Sequence, residues 1–244
     1  MALKSKIEWT EATWNPVTGC TPISDGCKNC YAKRLAQRLK LMRNKRYRNG
    51  FDLTLHPDLL QQPLKWKTSK MIFVNSMSDL FHEDVPFNFI EKVFSVIGKA
   101  RWHTFQVLTK RAERLAELSM DLPWPGNLWM GVTIESGRYI YRADHLRKVP
   151  ASVKFISFEP LIGSVASIDL SGINWAIVGG ESGPRARIMK KKWVHEILTL
   201  CAAENIPFFF KQWGGINKKK TGRILNGRTY DEMPFVAPTV PSIF

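Results

Sequence analysis

Short hydrophobic runs alternate with segments of helical periodicity along most of the chain. The runs are four to seven residues long and carry few charges, as strands buried on both faces of a parallel sheet do. Hydrophobic residues between the runs recur at i, i+3 and i+4, as on the buried face of a helix. The predicted strands span residues 13–18, 71–76, 104–109, 128–134, 153–158, 175–178 and 207–212. The predicted helices cover residues 32–42, 89–97, 111–119, 138–148 and 194–201.

This alternation predicts an α/β fold in which helices cover a parallel sheet. About seven strands are too few for a closed eight-stranded barrel, so we expect a partial, open (β/α) barrel of about six to seven parallel strands. A doubly wound sheet is the alternative. Residues 161–174 show no helical periodicity, which indicates an abbreviated crossover. We expect a single domain over residues 1–244, with an N-terminal cysteine loop and a basic C-terminal extension.

The positive charge of the chain is concentrated in two stretches. The formal net charge is +15, and residues 26–51 contribute nine Lys or Arg while residues 205–230 contribute six, with no acidic residue in either stretch. Concentrated positive charge attracts polyanions, chiefly nucleic acid. The alternative interpretation is a solvated basic surface that keeps the protein soluble.

Three of the four cysteines fall within eleven residues, at Cys20, Cys27 and Cys30. Three thiolates can hold three irons of a cubane iron–sulfur cluster and leave the fourth iron open to another ligand. Structural zinc usually takes four protein ligands, so the incomplete set favours the cluster. The remaining cysteine, Cys201, falls on the hydrophobic face of a predicted helix and is expected in the core.

The chain shows no feature of a membrane or secreted protein. No run of about 18 apolar residues occurs, so no membrane span is expected. The first residues carry charges where a signal peptide has its apolar core. We therefore expect a cytoplasmic protein, because thiols stay reduced there and clustered cysteines then favour metal over disulfide.

Polar residues follow nearly every predicted strand. The carboxyl ends of parallel strands meet at one edge of a barrel, where functional groups gather. These side chains are therefore expected to share one pocket for a polar cofactor, although loops are polar in any protein. The segments concerned are 75–79 (NSMSD), 109–111 (TKR), 133–135 (TIE), 158–160 (FEP), 179–182 (GGES) and 211–214 (KQWG).

Three cysteines on the loop after the first strand of a partial (β/α) barrel resemble the radical S-adenosylmethionine (SAM) enzymes. In that superfamily three cysteines hold a [4Fe–4S] cluster whose free iron binds SAM, and reductive cleavage yields a 5′-deoxyadenosyl radical. Six residues separate Cys20 from Cys27 here, where the superfamily usually has three. Residues 75–79 stand where its glycine-rich acidic motif is expected.

A more specific resemblance covers nearly the whole chain. The sequence is similar to the phage-associated three-cysteine-motif family of uncharacterised proteins, which has a radical-SAM-like core. The matching segments are 7–20, 27–32, 74–81, 108–111, 158–161, 178–183, 210–214 and 222–228.

These resemblances imply a set of roles. Cys20, Cys27 and Cys30 would ligate the cluster, and an external electron donor would reduce it. Cofactor contacts are expected from Tyr31, Asn75, Ser76, Ser78, Asp79, Thr133, Glu135, Glu159, Gly180 and Glu181. Substrate contacts are expected from Lys110, Arg111, Lys211, Gln212 and Trp213. The expected substrate is nucleic acid or a nucleotide, for modification or lesion repair, and no catalytic residue or oligomeric state is assigned.

Two other functions fit the same cysteines. A non-catalytic nucleic-acid-binding protein would hold a structural zinc with three cysteines and a fourth ligand such as His56 or His82. An iron–sulfur protein that only senses redox state or transfers electrons would carry the cluster without cleaving SAM.

Overall fold

The structure is a computed structural model that describes Ser5 and residues 7–235. The outer parts of the predicted 1–244 domain, residues 1–4, 6 and 236–244, lie outside the described residues. The strands are β1 (Ala12–Trp14), β2 (Val17–Thr18), β3 (Thr54–Leu55), β4 (Met71–Val74), β5 (Thr104–Thr109), β6 (Leu128–Thr133), β7 (Val153–Phe158), β8 (Trp175–Gly179) and β9 (Phe208–Gln212). The α-helices are α1 (Tyr31–Leu41), α2 (Phe87–Lys99), α3 (Ala112–Leu118), α4 (Tyr141–Arg147), α5 (Lys191–Ala203) and α6 (Lys218–Thr221).

Seven strands form one parallel sheet in the order β1-β4-β5-β6-β7-β8-β9, which is also their order along the chain. Crossovers between parallel strands are almost always right-handed, so an unreversed order places the helices on one side of the sheet. A doubly wound sheet would instead reverse its order part-way. The predicted open, partial (β/α) barrel is therefore confirmed.

The sheet is strongly curled, as the position of Trp9 shows. Its ring centroid lies 4.7 Å from that of Phe73 on β4 and 6.2 Å from that of Trp175 on β8. These two strands are four positions apart, which would be about 19 Å in a flat sheet. One indole reaches both because the sheet bends around it. Phe155, Trp129 and Phe209 complete this inner aromatic cluster.

The convex face of the sheet carries the larger core. Outward residues of the strands, such as Ile72 and Val107, are fully buried in the same cluster as the apolar face of α2. That face contains Phe89, Ile90, Val93, Phe94 and Ile97, as predicted. Cys201 is buried in this core as well, so the expectation of a packing role for it is confirmed.

One local feature differs from the sequence prediction, and a second confirms it. The predicted first strand divides at Pro16, because proline has no amide hydrogen for a strand ladder. Its second half, β2, leaves the barrel and pairs antiparallel with β3, whose two residues are too few for a recognisable pattern. The predicted absence of a helix in the crossover from β7 to β8 is confirmed.

The chain after α6 covers the exposed edge of β9. Phe209 forms an antiparallel bridge with Asp231, and the amide of Phe210 donates to the carbonyl of Tyr230. An edge strand without such cover would present free donors and acceptors to other chains. No helix in the described part of the chain combines the length and hydrophobicity that a membrane crossing requires.

Candidate functional site

The cysteine loop, residues 20–30, lies at the carboxyl edge of the sheet. Gly19 starts it, bridges to Ser78 after β4, and adopts a φ of 84°. A Cβ on Gly19 would lie 2.2 Å from the carbonyl oxygen of Asp52, so only glycine fits at this point. The loop ends at Cys30, which is the N-cap residue of α1. The predicted loop after the first strand is thus placed against the ends of the strands.

A cavity of about 420 Å³ lies between the cysteine loop and the concave face of the sheet. Trp9, Phe73 and Leu108 form part of its apolar wall, which continues the inner aromatic cluster. The predicted site residues that line it are Cys20, Cys27, Cys30, Tyr31, Asn75, Ser76, Ser78, Asp79, Lys110, Arg111, Thr133, Glu159, Gly180, Glu181, Lys211 and Gln212. The structure therefore brings together most of the residues that the sequence singled out.

Arg111 bonds both to Cys20 and to Asp79, which follows β4. One guanidinium nitrogen lies 3.6 Å from the Cys20 sulfur and 3.2 Å from the Asp79 carboxylate, and the other nitrogens bond to Thr21 and Glu83. Burial and the Asp79 charge raise the pKa of the Cys20 thiol to about 12, although Arg111 opposes the rise. With only 4% of its surface exposed, Arg111 holds the loop rather than offering itself to a substrate anion.

Glu135 forms a second internal network. It is fully buried and accepts from Lys110 at 2.8 Å, from Arg142 at 2.9 Å and from the Ser24 hydroxyl at 2.5 Å. Burial by itself would raise the pKa of Glu135, but the two cations and these hydrogen bonds outweigh it and lower the pKa. Glu135 does not line the cavity, so the cofactor contact predicted for it is replaced by a link between the cysteine loop, β5 and α4.

Glu159 and Lys211 form a pair inside the cavity. The Lys211 ammonium lies 2.6 Å and 2.9 Å from the two carboxylate oxygens of Glu159. Both side chains line the cavity, at the ends of β7 and β9. Because both members of this predicted pair lie beside the open space, a ligand could exchange hydrogen bonds with them.

Glu181 fastens the middle of the cysteine loop. Its carboxylate accepts from the Asn29 amide at 3.0 Å and from the Arg187 guanidinium at 2.6 Å, and Arg187 also donates to the carbonyl of Asp25. Burial opposes ionisation, but the bonds from Arg187 and Asn29 leave the pKa of Glu181 lowered. The sequence analysis missed Asn29 and Arg187. The position of Asn29 between Cys27 and Cys30 was the one feature that could have indicated it.

The hydroxyl and glycine positions have mostly local partners. Ser78 donates to the carbonyl of Val17, Ser76 donates to Asn15, and the Tyr31 hydroxyl donates to the carbonyl of Ser76. Asp79 accepts from Thr109 and from the amides of Phe81 and Lys110 in addition to Arg111. A Cβ on Gly180 would lie 2.0 Å from the carbonyl oxygen of Trp213, so this glycine is needed for chain packing.

Two predicted residues that line the cavity each have a buried side-chain atom without a hydrogen-bond partner. Asn75, at a φ of 60° directly after β4, accepts from the amide of Val17 but its side-chain nitrogen has no partner. Gln212 donates to Gly180 and Ser182 while its side-chain oxygen has no partner. Both residues are buried and line the cavity. The indole nitrogen of Trp9, another lining residue, also has no partner. Buried polar atoms without partners are rare, so two free donors and one free acceptor on these residues suit a polar ligand.

Trp213 lies outside the cavity. Its ring packs edge-on against Phe210 at 4.9 Å, and its indole nitrogen donates to the carbonyl of Ile224. The substrate contact predicted for Trp213 is therefore not supported by its position, because its side chain anchors the segment after α6 instead.

The described residues do not form a single-ion metal site. They contain no group of three or more His, Cys, Asp or Glu side chains placed to hold one metal ion. The two histidines proposed as zinc ligands already have partners: His56 bonds to the Thr18 hydroxyl, and His82 bonds to the Thr21 hydroxyl and the Asp84 amide. Cys20, Cys27 and Cys30 all line one cavity, which fits the three-cysteine donor set of a cubane cluster.

A family model matches residues 4–234, nearly the whole chain; its description is "Protein of unknown function (DUF5131)". The chain belongs to this family. No curated protein matches it.

Solved structures of spore photoproduct lyase are similar to it at low sequence identity. A double mutant with bound AdoMet and dinucleoside spore photoproduct has 15% identity and a TM-score of 0.49, over 77% of this chain and 60% of that one. The lyase complexed with dinucleoside spore photoproduct has 15% identity and a TM-score of 0.46, over 76% of this chain and 59% of that one. The chain thus spans about three fifths of the length of these proteins.

Proposed function

We propose that this protein is a cytoplasmic radical SAM enzyme that acts on nucleic acid or a nucleotide, in base or sugar modification or in lesion repair. The observation that carries the proposal is that all three thiols of one loop line the same cavity as the carboxyl ends of six consecutive parallel strands, β4 to β9. The proposal also includes the similarity of the sequence to the phage-associated three-cysteine-motif family.

The thiols of Cys20, Cys27 and Cys30 would hold a [4Fe–4S] cluster, with one iron left for SAM. When bound and reduced by an external donor, the cluster supplies the electron that cleaves SAM into methionine and a 5′-deoxyadenosyl radical. The chain itself supplies position and shelter, since the cofactor carries the difficult chemistry. The apolar wall formed by Trp9, Phe73 and Leu108 limits water in the cavity.

The polar atoms of the cavity fit the polar parts of SAM. The unpartnered side-chain nitrogen of Asn75 can donate to a carboxylate or ring nitrogen, and the unpartnered oxygen of Gln212 can accept from an amine or hydroxyl. The Glu159–Lys211 pair adds one acceptor group and one donor group beside them. Thr133 lines the same space with its hydroxyl.

The proposal is tested by anaerobic reconstitution with iron and sulfide, followed by SAM and dithionite, with 5′-deoxyadenosine as the product measured. Cys27→Ala should abolish both the brown colour and the product, because two thiolates hold the cluster poorly. Cys201→Ala is the matched control: this cysteine is buried on α5, away from the cavity, so the variant should keep both.

Each other outcome assigns a different function. A brown protein that forms no 5′-deoxyadenosine would reject SAM cleavage and favour an electron-transfer or redox-sensing protein. A colourless protein that holds one equivalent of zinc would reject the cluster and favour the nucleic-acid-binding alternative.

A further inference from the structure

Three cations of the cavity are already paired with carboxylates, whereas three exposed cations of α1 are not. Lys110, Arg111 and Lys211, the groups predicted to bind an anionic substrate, contact Glu135, Asp79 and Glu159 respectively. Within the described residues, no ion pair involves Lys33, Arg38 or Lys40, which are exposed on α1. A polyanion gains the most binding free energy at cations that have no carboxylate partner within the protein.

The basic helix begins at the cysteine loop. Cys30 is its N-cap residue, and Lys33 lines both the cavity and a second cleft of about 450 Å³ on the outer side of the loop. Lys28 and Arg187 also line this outer cleft, next to Cys27. The positive surface therefore starts at the place where the proposed chemistry occurs and continues outward along α1.

The spacing of the cations suits a strand better than a single nucleotide. Lys33 and Lys40 are seven residues apart on one flank of α1, about 10 Å along the helix axis. This distance is longer than one phosphate step of an extended single strand, so the two ammonium groups would reach different phosphates. Arg43, Lys45 and Arg48, exposed after the helix, extend the surface further.

Tyr31 adds a feature that favours an unpaired strand. Its side chain is 51% exposed while it also lines the cavity. An aromatic ring beside a positive surface is the usual platform for stacking an unpaired base. A base in a duplex would first have to leave its stack to reach such a site.

We propose that the exposed cations of α1 bind the phosphate backbone of a single nucleic-acid strand and lead it to the cysteine loop. This inference rests on the proposed function, which makes the cysteine loop the reaction site. Binding of the strand to α1 needs neither the cluster nor SAM. The substrate is accordingly a polymer strand rather than a free nucleotide.

The test is fluorescence anisotropy with the metal-free protein and a labelled 12-nucleotide single strand, between 50 and 200 mM salt. The triple variant Lys33→Ala, Arg38→Ala and Lys40→Ala loses three cations and keeps α1, since alanine is the best helix former. For single strands the logarithm of affinity falls with the logarithm of salt by about 0.7 per phosphate contact. The salt slope should therefore decrease by about 2, so the parent loses about twentyfold more affinity over this range than the variant.

The control variant carries Lys99→Ala, Arg101→Ala and Lys148→Ala, three exposed cations that precede β5 and β7 at the opposite edge of the sheet. It changes the net charge equally and should keep the parent's slope. Equal slopes for the triple variant and the parent, or an equal loss in the control, would overturn the proposal.

Three further outcomes would also overturn it. The first is tighter binding of a 12-base-pair duplex than of the single strand. The second is competition by a mononucleotide at a concentration equal to that of the strand. The third is a triple variant that loses binding to phosphatidylserine vesicles but still binds the strand as the parent does. Because 5′-deoxyadenosine formation is measured separately on the reconstituted protein, failure of strand binding and failure of SAM cleavage are distinguishable.

Discussion

At the scale of single residues, buried ion pairs hold the side chains of the candidate site in position. Arg142 and Glu135 are almost completely buried and lie 2.9 Å apart, and Lys110 contacts the same carboxylate. A buried pair of this kind contributes little compared with an apolar core, but removing one partner leaves the other uncompensated. These pairs therefore fix the positions of the strand ends more than they add to stability.

Glu135→Gln should lower the free energy of unfolding by about 3–5 kcal/mol at pH 7, because Arg142 and Lys110 lose their buried counter-charge. The folded-state pKa of Glu135 is lowered, so its contribution is complete above about pH 4.5 and is lost as the pH falls through the folded value. The difference between variant and parent should accordingly shrink as the pH falls below about 4.5. Urea unfolding at a series of pH values measures it.

Asp58→Asn is the matched control for this measurement. Asp58 pairs with Arg46 at the surface, where both side chains are largely exposed. Its loss should leave the urea midpoint unchanged at pH 7. A Glu135→Gln variant as stable as the Asp58→Asn variant would contradict the role assigned to Glu135.

At the scale of elements, the cysteine loop is held by the strand ends rather than by a structure of its own. Its regular part is one short 3-10 helix, Asp25–Cys27. Its hydrogen bonds reach Arg111 on one side and Glu135 and Glu181 on the other. A loop with few internal contacts opens locally when such ties are removed.

Glu181→Gln should loosen the cysteine loop without unfolding the sheet. The variant loses the charge that holds Arg187, and with it the link from Arg187 to the Asp25 carbonyl. A loss of about 1–3 kcal/mol in local stability corresponds to amide exchange about 5 to 150 times faster in residues 24–30. Hydrogen exchange followed by mass spectrometry measures this.

Glu159→Gln serves as the comparison, because it breaks the Lys211 pair and removes no hydrogen bond to the cysteine loop. Exchange in residues 24–30 should stay at the parent's rate in that variant. Equal acceleration in both variants would show that Glu181 has no specific effect on the loop.

At the scale of the whole molecule, the cavity exists because the sheet curls and the cysteine loop closes over it. The inner aromatic cluster fills the lower part of the concave face and leaves only its carboxyl end open. The loop reaches across to β4, β5, β6 and β8 through Asp79, Arg111, Glu135 and Glu181. A cluster bound to the loop would therefore stabilise contacts between distant parts of the chain.

Reconstitution with iron and sulfide should raise the Tm by about 5–10 °C, since a group that binds only the folded chain stabilises it. Cys27→Ala should lose this increase, whereas Cys201→Ala should keep it on a lower baseline, because Cys201 is a core residue. Anaerobic calorimetry with and without reconstitution gives both differences. An identical Tm before and after reconstitution would contradict cluster binding at this loop.

The sequence by itself determined the parallel sheet, its open barrel form and most of the residues around the cavity. Hydrophobic runs report burial directly, and the carboxyl ends of parallel strands must meet at one edge. The residues predicted at β4, β5, β7 and β9, such as Asn75 and Gln212, line the cavity for this reason.

Only the tertiary structure decided how those residues are used. Asp79 and Arg111 are 32 positions apart, and Glu159 and Lys211 are 52 apart, so no local pattern shows that they pair. No local pattern shows the contacts of Gly180 and Trp213 either. The carbonyl of Trp213 lies so close to residue 180 that only glycine fits there, and the Trp213 ring packs against Phe210. Sequence periodicity reports which side chains are buried, whereas charge pairing depends on which strand ends become neighbours. That neighbourhood pairs Lys110, Arg111 and Lys211 with carboxylates, and among the ion pairs of the described residues it leaves none to Lys33, Arg38 and Lys40.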